Sequence, residues 1–204
     1  MPRFKETPLF GGALVCDLPD NFADVSMIRK VPDNQEVYLD KDGFTSIIFD
    51  ITERVDAPGD DPLERDGRAL TIHLEDLVGE DADTVKVWNT TETQFTHLDE
   101  SIPAYTLIAT QTPHKPAADE EASASRRSSA PDFTALILTL VRLEKEQTDI
   151  LITINVPHIK GEYDEEEVDL ALGKQGELIG DAVEYAAKIW ATFEVRDWKL
   201  FNEV

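Results

Sequence analysis

The run Asp24-Val-Ser-Met-Ile-Arg-Lys-Val-Pro-Asp-Asn-Gln-Glu-Val-Tyr38 crowds a helical turn, a proline turn and a polar quartet into the approach to a strand. Asp33, Asn34, Gln35 and Glu36 follow Pro32 directly, and a core needs few such groups. Asp24 reads as the cap of a short helical turn, with Val25, Ile28 and Met27 facing inward. Pro32 ends that turn, because proline lacks an amide proton and restricts the residue before it. Asn34 suits turn chemistry. Asp33 and Glu36 exceed these needs: two carboxylates flank one turn, with Arg29 a helical turn before Asp33. Local capping can use one of them. The other reading is a surface offered to a partner, since exposed loops on rigid scaffolds carry binding.

The remaining candidates for chemistry are weaker. Gly173-Lys174 lacks the upstream glycine of a phosphate loop, and neither a Gly-x-Ser-x-Gly elbow nor a His-Glu-x-x-His helix is present. His73, His97, His114 and His158 are scattered, and His73 lies in an apolar stripe as a helix residue at the core's edge. Asp40-Lys41-Asp42-Gly43 has its glycine too early for a calcium loop, and Ile51 stands where the bidentate glutamate belongs. Asp60, Asp61 and Glu64 read as a solvated loop. Cys16 has no evident base and reads as a small buried hydrophobe. Arg126-Arg127-Ser128-Ser129 resembles a basophilic kinase site, or is an unmodified linker. No cofactor and no metal are expected.

Charge narrows the partners. The chain has 204 residues with 42 acidic against 19 basic side chains, a formal net charge of −23. Such a surface repels nucleic-acid phosphates and anionic membranes. It permits a basic protein partner, though plain solubility is the simpler explanation of the charge. One cysteine rules out an internal disulfide and suits a reducing compartment. No signal peptide is expected after Met1, and Leu136–Val141 is too short to span a bilayer.

The elements that must carry the polar turn follow from periodicity. Leu9–Val15 reads as two extended pieces hinged on Gly11-Gly12, followed by a loop over Asp17–Phe22. Glu36–Asp40 and Ser46–Arg54 form a hairpin around Lys41-Asp42-Gly43, with Ile47, Phe49 and Ile51 on one face. A helix opens at Asp66 or Gly67 and runs to Val78, burying Leu70, His73, Leu74 and Leu77, with Gly79 as its stop. Thr84–Trp88 and Ala104–Thr112 are strands. Phe133–Leu143 is apolar on both faces and reads as a central strand. Thr148–Val156 returns beside it until Pro157. The clearest helix covers Glu177–Phe193, with a docking tail at Asp197–Phe201. Residues 114–132 carry too little apolar surface to order and are expected as a mobile loop. Residues 160–172 form an acidic loop. The whole, 1–204, reads as a single α/β (α+β) domain with a mainly antiparallel six- or seven-stranded sheet flanked by helices.

Leu9-Phe10-Gly11-Gly12-Ala13 and the 24–38 run together resemble the Ran guanine-nucleotide release factor family, the Mog-type Ran-binding proteins of nuclear transport. Ile72-His73-Leu74-Glu75-Asp76-Leu77 and Arg142-Leu143 through Thr148–Pro157 extend the resemblance towards the C-terminus. It implies a fold shared with the photosystem PsbP proteins, binding to the GTPase Ran, release of its guanine nucleotide, GTP in particular, and support of nuclear import. It implies Ran contacts at Asp33 and Glu36, with Asp24, Arg29, Asn34 and Gln35 in the same motif. It also implies a non-enzymatic protein, monomeric on its own, in nucleus and cytoplasm. The competing readings are an acidic ligand- or metal-binding module, and a protein-binding scaffold without release activity.

Overall fold

Side-chain alternation builds the sheet. In β5 (Ser46–Glu53), Ile47, Phe49 and Ile51 are buried on one face. It pairs antiparallel with β4 (Gln35–Asp40), which joins β3 (Phe22–Asp24) at the sheet's edge. β8 (Phe133–Leu143) is buried on both faces, as a central strand must be, and lies between β7 (Ala104–Gln111) and β9 (Thr148–His158). With β6 (Val85–Glu92), the seven strands run in the order β3-β4-β5-β9-β8-β7-β6, antiparallel at every neighbour. The computed structural model describes residues 2–27, 31–114 and 130–202.

Two apolar layers cover this sheet. On one face, helix α2 (Gly176–Thr192) buries Ile179, Ala182, Tyr185, Ala186 and Ile189. They pack with Ile137, Val141, Ile150 and Ile152, and with Leu9, Leu14 and Leu18 of the hairpin β1 (Phe4–Leu9) and β2 (Leu14–Pro19). On the other face, helix α1 (Pro62–Val78) sets Ala69, Leu70 and Leu74 against Leu107, Leu136, Leu138 and Leu140. Two short strands, β10 (Val168–Asp169) and β11 (Lys174–Gln175), pair in the acidic segment. A last one, β12 (Glu194–Val195), adds to β2 and leads into a 3-10 turn at Trp198–Asn202, where Phe201 docks.

Several sequence expectations need correction. The segment 17–22 is not a loop: β2 continues to Pro19 and β3 starts at Phe22. Asp24 ends β3 and caps no helical turn; its Oδ1 accepts the Ser26 amide at 2.9 Å, while the Val25 amide extends the ladder to the Val37 carbonyl. Met27 is 94% exposed, not inward. Ile28 and Arg29 lie outside the described residues, as does most of the 114–132 segment. Helix α1 starts at Pro62, because Asp61 accepts the Leu63 amide as N-cap and proline fits the first helical position. Leu77 is exposed, as is Val87, beside a bulge in β6. Pro157 does not end β9, which runs on to His158. β5 pairs with β9 only as far as Asn155, so the missing proline amide breaks no bond on that side. Residues 160–172 hold two 3-10 turns and β10, not continuous loop.

Candidate functional site

The polar quartet sits on a closed turn at the start of β4. The Gln35 amide donates to the Pro32 carbonyl at 2.9 Å, so Asp33 and Asn34 form the bend. The bend is bolted to β5. Asn34 Nδ2 donates to Asp50 Oδ1 at 2.7 Å and to the Ile51 carbonyl at 3.0 Å, and the Ile51 amide returns to the Asn34 carbonyl. Gln35 Nε2 donates to the other Asp50 oxygen at 2.9 Å. Burial pushes the Asp50 carboxyl up, against the pull of these two amides. Ser26 Oγ accepts the Val37 amide at 2.9 Å and fixes the incoming chain.

The two acids of the motif differ. Asp33 is exposed, and among the described residues it has no hydrogen bond or ion pair. Glu36 is half-buried and both oxygens of its carboxylate accept hydrogen bonds inside the fold. Oε1 accepts the Phe10 amide at 2.7 Å and Oε2 accepts the Tyr38 hydroxyl at 3.2 Å. Burial pushes the Glu36 carboxyl up, the two donors pull it down, and the Asp24 charge adds to the rise. Desolvation first, then the Glu36 charge, keeps the Tyr38 phenol protonated and able to donate. Phe10 itself stands at φ 48°, a region a bulky residue seldom occupies, so Glu36 grips a strained backbone.

The structure thus brings Asp24, Asp33, Asn34, Gln35 and Glu36 to one corner of the sheet, with Asn34, Gln35 and Glu36 engaged internally. Cys16 is buried, and burial pushes its thiol up, so it is not poised as a nucleophile. Asp40 Oδ1 takes the Asp42 amide and the Asn21 side chain, which is turn chemistry. Among the described residues no group of His, Cys, Asp and Glu could hold a metal ion, and no helix is long and apolar enough to cross a membrane.

Sequence reasoning missed a buried ionic network. Arg142 is 1% exposed and pairs in register with Asp149 across β8 and β9. Its Nε donates to Asp149 Oδ1 at 3.0 Å and its Nη1 to Asp66 Oδ1 at 2.8 Å, while Nη2 reaches the Val55 carbonyl. His73 Nε2 lies 2.8 Å from Asp149 Oδ2, so this histidine is inside the core, not at its edge. The signal was an arginine in an otherwise apolar strand, facing an aspartate on its return strand.

Known proteins resemble this chain over most of its length. Residues 7–157 match the family model described as Ran-interacting Mog1 protein. The chain is similar to the nuclear import protein MOG1 of Saccharomyces cerevisiae, 32% identical over 169 residues, covering 78% of this chain and 68% of that one. It is similar to the Ran guanine nucleotide release factor of Homo sapiens, 31% identical over 161 residues, covering 77% and 78%. The crystal structure of the S. cerevisiae Ran-binding protein Mog1p superposes with a TM-score of 0.68 at 27% identity, covering 98% of this chain and all of that one. The solution structure of cyanobacterial PsbP from Synechocystis gives 0.51 at 11% identity over 96% and 94%, a likeness of fold alone.

Proposed function

We propose a function from the premise that this chain belongs to the Mog1 family of Ran-interacting proteins. It binds the small GTPase Ran and takes part in nuclear import, a binding and regulatory role. The finer reading is that it promotes release of guanine nucleotide, GTP in particular, makes and breaks no bond of its own, and works in nucleus and cytoplasm.

The observation that carries this reading is the pairing of one exposed acid, without a partner among the described residues, with one engaged acid at the same turn. Asp33 projects from a bend held by Asn34, Gln35 and Asp50, so a charged group is offered at little further loss of freedom. A GTPase holds its nucleotide through a phosphate loop, a lysine and Mg²⁺, all positive or positively polarised. A pre-ordered carboxylate competes with phosphate for such groups. A release factor must favour the empty form over the loaded one, because only differential affinity shifts an equilibrium. Within this scheme Asp33 contacts Ran, and Glu36 acts as a positioning residue that fixes Phe10 and the β4 end.

The test is release of labelled nucleotide from Ran, with binding measured in parallel. Asp33→Lys, folded as wild type, is expected to lose both. Full retention of both by that variant overturns the reading, and binding retained without any release by the wild-type protein favours a scaffold.

A further inference from the structure

We propose that a cleft beside the C-terminal turn is a docking site for an arginine side chain on a protein partner. The end of the sheet that carries Asp33 also carries the loop 93–103 and the turn 144–147, since β4 starts there, β8 ends there and β9 starts there. Between that loop and that turn lies a cleft of about 410 Å³, with Leu143 and Ile102 at its apolar side and Asp99, Glu144 and Glu146 among its lining groups.

Trp198 forms its remaining wall. It is 42% exposed, yet its backbone is tied down. The Arg196 and Asp197 amides both donate to the Ala13 carbonyl, at 2.8 and 3.0 Å, and Asp197 Oδ1 accepts the Lys199 amide at 3.0 Å. The buried Phe201 ring meets the indole edge-on at 5.8 Å. An exposed indole held this firmly is a fixed wall, not a loose tail. Asp99 is locked in turn by Ser101, whose hydroxyl and amide donate at 2.6 and 2.9 Å and hold its carboxyl below the usual range.

The chemistry selects one occupant. An apolar slot would take any hydrophobic side chain, but Asp99, Glu144 and Glu146 outnumber the lining cations Lys145 and Arg142, and Arg142 is 1% exposed and already paired with Asp66 and Asp149, which leaves this lining negative. An acidic segment is repelled by them and by the chain's net charge of −23. An arginine satisfies both parts: its planar guanidinium stacks on an indole face, and its forked N–H groups match carboxylates. Lysine lays its stem on the same wall but offers only a point charge.

The experiment needs no Ran, so its failure is distinct from failure of the release reading. The full-length ¹⁵N-labelled protein is titrated with the peptide Ac-Gly-Arg-Gly-NH₂ and with its uncharged citrulline counterpart. Saturable shifts are expected for the Ser101, Ile102 and Leu143–Glu146 amides and the Trp198 indole, with affinity roughly fivefold weaker for citrulline. Trp198→Ala is expected to abolish them, and Glu144→Gln with Glu146→Gln, at positions that leave the packing intact, to weaken them by a similar factor. Equal binding of citrulline, no saturable shifts at the cleft, or shifts that follow protein concentration and signal a second copy, each overturns the proposal.

Discussion

The Glu36 carboxylate accepts the Phe10 amide at 2.7 Å, joining the start of β4 to a turn 26 residues earlier in the chain. Phe10 is followed by Gly11 and Gly12, both at positive φ, and by Ala13, whose carbonyl receives the Arg196 and Asp197 amides. One side chain therefore helps to hold the polar corner, the glycine turn and the C-terminal tail in a single frame. A charge-reversing change at Glu36 would disturb that frame as well as any surface potential.

Glu36→Gln keeps an acceptor for the Phe10 amide, whereas Glu36→Lys leaves that donor unpaired beside a new cation. Thermal and urea unfolding are expected to put Glu36→Gln close to wild type. Glu36→Lys is expected to lose about 1–3 kcal/mol, the cost of an unsatisfied buried donor. In the Ran release assay Glu36→Gln should retain activity. Loss of activity by a Glu36→Gln protein of wild-type stability would show that the charge itself reaches the partner.

Asp33 gives the opposite pattern. It is exposed and bonded to nothing among the described residues, so Asp33→Ala is expected to change stability by no more than about 0.5 kcal/mol. Its effect on Ran binding should be large by comparison. A binding titration alongside urea unfolding separates the two acids: one variant lowers affinity at constant stability, and the other lowers both.

Much of the frame was legible in the sequence, and the reasons are local. β8 could be read because Phe133–Leu143 is apolar on both faces, and α2 because its apolar residues recur at helical spacing over four turns or more. The α1 start was missed because Asp61-Pro62 reads first as loop, and only the cap geometry reveals a helix beginning there. A helical turn would put Met27 inward, yet the chain around it follows the β3 ladder and the Ser26 bond to Val37, which turn it to solvent. The sequence marks a polar turn at 32–36. It could not tell that Asp33 points out while Glu36 turns back, because that depends on a bond to Phe10, distant in sequence. The Asp66 partner of Arg142 is hidden for the same reason, lying 76 residues away, whereas Asp149 faces it across the hairpin.

That buried network makes the next prediction. Arg142 neutralises Asp66 and Asp149 where water is excluded, so removing it leaves two carboxylates uncompensated. Arg142→Leu is expected to cost about 3–5 kcal/mol in urea unfolding, as broken buried pairs do. Burial alone would raise the Asp149 carboxyl. The hydrogen bonds from His73 and the Val55 amide and the Arg142 charge outweigh it and hold the carboxyl below the usual range. Its contribution is therefore present above the ordinary aspartate value and lost as acid takes the pH through the lowered one. The acid limb of the wild-type stability curve should flatten in Asp149→Asn.

His158 sets a second pH dependence, of a different origin. Its ring is fully buried, stacked on Phe133 at 4.1 Å and met edge-on by Tyr163 at 4.8 Å. Nδ1 donates to the Val156 carbonyl at 2.9 Å, which leaves Nε2 as a buried acceptor without a partner among the described residues. Burial pushes its pKa down, against the Val156 bond and the Asp132 charge. The unfolded chain takes up a proton below about pH 6.5, while the folded ring stays neutral to lower pH. Stability is thus complete above that value and falls as the pH drops towards the folded pKa, by at most about 1.4 kcal/mol per pH unit from this group. His158→Phe preserves an aromatic ring between Phe133 and Tyr163 but has no proton to gain. Urea midpoints measured at about pH 7.5 and about pH 5.5 should fall further for wild type than for His158→Phe, and an equal fall in both would show that this imidazole is not the group that titrates.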